Sequence, residues 1–216
     1  DGSVVTWGNL RSDGVSSEIQ EQLKRVQKVH AASNVFVGVM PDGSVVTWGD
    51  PDFAHQVRVQ DELWNVQQVY ASQHAFAAIL ADGSVVAWGQ PDFGGDCREV
   101  QCQLWNVRHI TASGAAFAAI LTDGSVVTWG DPSAGGDCSQ VQKQLKHVQQ
   151  IHATDRAFAA ILGNGSVVTW GSEVCGGVSS MVQDQLASVW QIQATLGAFA
   201  AILADGSSVA WGHLPR

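Results

Sequence analysis

Asp123-Gly124-Ser125-Val126-Val127-Thr128-Trp129-Gly130 decides the fold, because it does not stand alone. Near-copies end at Gly8, Gly49, Gly89, Gly171 and Gly212, and the tryptophans Trp7, Trp48, Trp88, Trp129, Trp170 and Trp211 follow one another at 41, 40, 41, 41 and 41 residues. A fixed period of this length is one supersecondary unit copied along the chain, so the fold is a ring, a stack or a solenoid.

Reading outward within one copy, Asn164-Gly165, Asp-Gly elsewhere, is a hairpin turn needing positive φ, which Gly83 and Gly124 are predicted to show. After the turn, Ser166 to Trp170 alternates as a strand. Before it, Ala157 to Leu162 is apolar on both faces and Ala-rich, which suits a strand covered on both sides. Its phenylalanine and the equivalents Phe36, Phe76, Phe117 and Phe199 are predicted to be nearly inaccessible. Gln149 to Ala153 is a further strand. Upstream, Val141, Leu145 and Val148 have helical spacing, as do Ile19, Leu23, Val26 and the matching trios at Leu63, Leu104 and Leu186. Each unit is therefore expected to be three antiparallel strands plus a helix of about two turns. Ser208 stands where the other copies have valine, as suits an exposed terminal repeat.

The chain divides into a third strand of a preceding repeat (1–8), repeats at about 9–49, 50–89, 90–130, 131–171 and 172–212, and a tail (213–216), read together as a single domain. It opens at Asp1 in mid-repeat, which reads as a processed or excised piece. Net charge is −9 with no basic run, which argues against nucleic acid and weakly favours basic partners. Apolar stretches such as Ala75 to Leu80 are too short to span a bilayer, so insertion is not expected, and peripheral association is left open. Cys97, Cys102, Cys138 and Cys175 read as free thiols, with a Cys97–Cys102 or Cys97–Cys138 disulfide and a zinc site as alternatives. No histidine lies in a metal-ligand pattern and no Ser/His/Asp arrangement stands out, so no catalysis, metal or cofactor is expected, nor a small-molecule ligand. His30 and His152 share a position with Tyr70, Thr111 and Gln193, a variability that predicts exposure.

The order Phe-Ala-Ala-Ile-Leu, Asp-Gly, Val-Val-Thr-Trp-Gly resembles the regulator of chromosome condensation (RCC1-like) repeat family in its short-repeat form, and is similar to tandem repeats predicted in dinoflagellate algae. The resemblance implies a mainly β, RCC1-like β-propeller of five three-stranded repeats with short outer helices. Family rings usually have seven blades, so a five-bladed ring, an open arc and an incomplete ring all stand as alternatives. The resemblance brings guanine-nucleotide exchange on a small GTPase as one alternative function. A structural accessory subunit, in a photosynthetic membrane complex and hence the chloroplast if the algal likeness holds, is the other. The Gly-Trp-Arg-His-Thr motif of the family's ultraviolet photoreceptor is absent.

Departures from the repeat's own average point to function. Trp64 and Trp105 share one position where other copies have Lys24, Lys146 and Ala187. Phe53 and Phe93 share another, and Trp190 is also outside the consensus. Large aromatics that the fold does not demand are either binding anchors or packing between blades. As anchors, Phe53, Phe93, Trp64 and Trp105 are expected on one side of neighbouring repeats, with Gln73, His74, Asp155 and Arg156 forming a more polar rim. The first reading is thus a non-enzymatic interaction or scaffold module with a protein partner.

Overall fold

The computed structural model describes residue 4 and residues 17–33, 35–49 and 63–213. Within them, fifteen strands form five three-stranded antiparallel sheets in chain order: β1–β3 (Lys28–Ala31, Val35–Val39, Val45–Gly49), β4–β6 (Val66–Ala71, Ala75–Leu80, Val85–Gly89), β7–β9 (Val107–Ala112, Ala116–Leu121, Val126–Gly130), β10–β12 (Val148–Ala153, Ala157–Leu162, Val167–Gly171) and β13–β15 (Val189–Ala194, Ala198–Leu203, Ser208–Gly212). No hydrogen bond among the described residues joins the fifth sheet to the first.

The Ala-rich middle strand explains how the sheets pack. In β8, Ala116, Ala118 and Ile120 face the next repeat and pack with Phe158, Ala160 and Trp170. Phe117 and Ala119 face the preceding repeat and pack with Ala75, Ala77 and Ile79. Small side chains on both faces let neighbouring sheets approach closely, so the core is a series of layers between repeats. Within a sheet, Phe117 lies opposite Trp129, and their rings stack with centroids 5.2 Å apart. Gly83 and Gly124 both have φ of 80°, as the turn requires.

Phe76, Phe117, Phe158 and Phe199 are buried, but Phe36 is 42% exposed. Gly94, Gly135 and Gly176 lie directly on the rings of Phe117, Phe158 and Phe199. At the other end, Ser208, Ala200 and Ala210 are exposed, and a Cβ on Gly206 would meet nothing within 4 Å. No described residue covers that face.

Among the described residues the expected two-turn helix holds only in the first repeat, as α1 (Ser17–Leu23). The third and fifth repeats have single 3-10 turns, Gln101–Gln103 and Gln183–Gln185. The fourth has hydrogen-bonded turns before Leu145, and the segment before Leu63 lies outside the described residues. Two residues after Leu63, Leu104, Leu145 and Leu186 the backbone is left-handed: Asn65, Asn106, His147 and Ser188 have φ of 57°, 55°, 55° and 56°. A helix cannot propagate through it. The last apolar residue of the four later trios, Val66, Val107, Val148 and Val189, is instead the first of a strand.

Sequence reasoning missed the glutamine in each turn. Gln101 Nε2 donates to Val85 C=O of the preceding sheet at 2.9 Å, while its Oε1 accepts from Cys97 Sγ at 3.0 Å. Gln142 does the same with Val126 and Cys138, and Gln183 with Val167 and Ser179. The interchange of cysteine and serine shows that the thiol serves as a small donor. All four cysteines are free, and burial pushes the Cys97 and Cys138 thiols up from their ordinary pKa.

Candidate interaction surfaces

Antiparallel sheets give the array two ends, each bonded between repeats. At the loop end, Ser33 N–H donates to Gln73 C=O, Gln73 to Gly114, Gly114 to Asp155 and Asp155 to Leu196, at 3.0, 3.0, 2.7 and 2.9 Å. At the turn end, the N–H groups of Val66, Val107, Val148 and Val189 donate to the turn carbonyls of Gly43, Gly83, Gly124 and Gly165, at 2.9, 2.9, 2.9 and 2.8 Å. A six-residue strand such as β7 separates the ends by roughly 20 Å.

The loop end gathers most of the predicted polar rim. Gln73 Nε2 donates to Asp155 Oδ1 at 2.8 Å, although the two residues lie two repeats apart. Gly114 sits between them, and a Cβ there would stand 2.4 Å from Asp155 Oδ1. Arg156 pairs with Asp131 at 3.5 Å and donates to Ser133 Oγ. Phe93, half-buried, meets the His74 ring edge-on with centroids 4.5 Å apart. Gln73, Phe93, Asp155 and Arg156 line one open cavity of about 570 Å³, together with Pro91, Asp92, Gly114, Ala115, Gly130, Asp131 and Pro132.

The turn end carries the tryptophans. Trp64 and Trp105 are 62% and 54% exposed, each two residues before the start of a first strand in adjacent repeats. Trp190, the second residue of β13, is 59% exposed at the same end. The four aromatics expected on one side therefore separate. Phe93 follows the last strand of its sheet and belongs to the loop end, Trp64 and Trp105 precede the first strand and belong to the turn end, and Phe53 lies outside the described residues. Assigning residues to repeats does not reveal which end of a strand they occupy. The strand direction does.

First strands lie beside one another, and at the position whose variability suggested exposure His30, Tyr70, Thr111 and His152 are half-buried, while Gln193 in the last repeat is exposed. The row is variable because each copy bonds differently to its neighbours. Tyr70 Oη lies 3.1 Å from His109 Nδ1, while Thr111 Oγ1 donates to Ile151 C=O at 3.1 Å. Burial lowers the pKa of His109 and of His152, with Arg108 adding to the first effect and His109 to the second. Among the described residues no group of histidine, cysteine and carboxylate side chains is placed to hold a metal, and no helix is long and apolar enough to cross a membrane.

No protein-family model and no curated protein sequence matches this chain. Solved structures do match in fold. Prp20p from Saccharomyces cerevisiae, described as yeast RCC1, superposes with a TM-score of 0.58 at 14% identity, covering 92% of this chain and 61% of that one. The ectodomain of the Physcomitrella patens receptor kinase CR4 gives 0.53 at 16%, covering 87% and 51%. The CRINKLY WD40 ectodomain of the Arabidopsis thaliana receptor kinase ACR4 gives 0.53 at 17%, covering 88% and 70%. The chain thus spans between about half and seven-tenths of the length of these structures. At such identities the likeness is one of fold: this chain is a mainly β array of propeller-type blades, consistent with RCC1-like repeats.

Proposed function

We propose that this chain is a non-enzymatic protein–protein interaction module that meets its partner through the turn end, with Trp64 and Trp105 as anchors. One observation carries the reading: both indoles are more than half exposed at equivalent positions of adjacent repeats, where other copies hold Lys24, Lys146 or Ala187. The fold does not require tryptophan there. A partner that buries the rings gains large apolar area while fixing few rotatable bonds. A protein partner also accords with the similar fold of Prp20p, whose structure was described with its binding to Gsp1p and histones. A scaffold, or an accessory subunit of a larger assembly such as a photosynthetic membrane complex, is the setting such a rigid face suits.

The test is photo-crosslinking in native extract from a probe placed at Lys146, beside the tryptophans. The probe should capture a defined partner, and Trp64→Ala with Trp105→Ala should abolish the product. Partner affinity should fall by about 1–4 kcal/mol for each change, while denaturant midpoints stay nearly constant. Unfolding by either substitution, or unchanged capture by the double variant, would overturn the reading.

A further inference from the structure

The repeats supply their own internal comparison at the loop end. Ser72, Ser113 and Thr154 keep the same role, their hydroxyls donating across to Phe93, Ala134 and Cys175 carbonyls at 2.8, 3.0 and 3.0 Å. The two residues that follow change completely: Gln73-His74, Gly114-Ala115, Asp155-Arg156. The backbone ladder holds these pairs in one row, neighbours about 4.8 Å apart as in adjacent strands. At Gly114 the row has no side chain, so Gln73 and Asp155 meet over it, and these three residues line one side of the cavity of about 570 Å³. A frame shared by these three repeats, presenting variable side chains around a hollow, suits recognition.

We propose that this cavity receives the side chain of a lysine or arginine from an extended segment of a partner protein. Its apolar walls, Phe93, Pro91 and Pro132, suit the methylene stem of such a side chain, and the Phe93 ring suits the cation. Its charges are unbalanced in the matching sense. Arg156 pairs with Asp131, while Asp92 and Asp155 have no salt-bridge partner among the described residues, Asp155 accepting instead from the neutral amide of Gln73. The net charge of −9 attracts a basic segment from a distance. This site lies at the opposite end of the sheets from Trp64 and Trp105 and stands independently of the anchors proposed there.

The experiment is an amide chemical-shift titration of the chain with three short, otherwise identical peptides carrying a central arginine, citrulline or glutamate. The arginine peptide should shift the Gly114, Asp155 and Phe93 amides saturably, and citrulline and glutamate should not. Asp92→Asn, at an exposed position, and Asp155→Asn, at a half-buried one where the amide oxygen still accepts from Gln73, should each weaken the arginine peptide roughly two- to fivefold. Arg156→Gln should strengthen it, because it removes the competing cation; a merely structural role for Arg156 predicts no gain. Trp64→Ala should leave peptide binding unchanged, which separates this site from the turn end. Equal binding of citrulline, shifts confined to the turn end, the absence of saturable shifts, or weakening by Arg156→Gln would each overturn the proposal.

Discussion

The indole N–H of Trp129 donates to the carbonyl of Gly94 at 3.0 Å, across 35 residues and from the end of one linker to the strand that closes the same repeat. Trp170 and Gly135, and Trp211 and Gly176, repeat the bond at the same distance. The glycine has φ of 88° and lies so close to Phe117 that a Cβ would sit 2.6 Å from the ring. In the last three repeats phenylalanine, tryptophan and glycine therefore form one clamp that fixes the linker over its own blade.

Gly94→Ala should break that clamp. It places a Cβ in both a left-handed conformation and a ring already in contact, and should destabilise by about 2–4 kcal/mol. Equilibrium unfolding in urea measures it, with Gly206→Ala as the comparison: Gly206 also has positive φ but faces open space, so only the conformational part, about 1 kcal/mol, should remain.

Phe117→Ala should cost about 3–5 kcal/mol, as expected for a fully buried ring. Phe36→Ala should cost less than half as much, because Phe36 is 42% exposed. Comparable losses in denaturant midpoint for the two variants would contradict the layered core.

His147→Asn should stabilise by about 0.5 kcal/mol. His147 holds φ of 55°, where asparagine is better tolerated, and asparagine already fills the equivalent positions 65 and 106. Thermal unfolding should show a small rise in Tm, with no change in far-ultraviolet circular dichroism.

Stability should fall in two stages on acidification. His109 and His152 have lowered pKa values in the folded state, so the unfolded chain takes up their protons first. Their neutral form favours folding fully above pH ~6.5, and that contribution is lost as pH falls from there through the lowered values. The turn carboxylates Asp42, Asp82, Asp123 and Asp205 are also lowered, by bonds from the serine two residues on, and their contribution fades only below pH ~4. His152→Gln, the residue found at Gln193, should flatten the first stage and leave the second in place.

The repeat, its three strands and the buried middle strand were legible because they rest on local patterns copied many times. The outer helices were misread because Val100, Leu104 and Val107 satisfy helical spacing while belonging to two elements, divided by the left-handed Asn106. Helical spacing sums over residues, whereas one αL residue ends a helix wherever it falls, so the trio cannot be a single helix. The exposure of Trp64 and Trp105 followed from their departure from the consensus, but grouping them with Phe93 failed for lack of a strand direction. The Gln73–Asp155 bond was hidden altogether, because residues 82 positions apart meet only through the absence of a side chain at Gly114.

The two rows of inter-repeat hydrogen bonds, from Ser33 to Leu196 at one end and from Gly43 to Val189 at the other, have a mechanical consequence. Either row alone would act as a hinge line about which neighbouring blades could swing. Two parallel lines about 20 Å apart oppose each other, since rotation about one stretches the other. Twisting or bending must therefore be shared among all the blades as small elastic strains, and a force applied at one repeat is felt along the whole array as in a stiff beam.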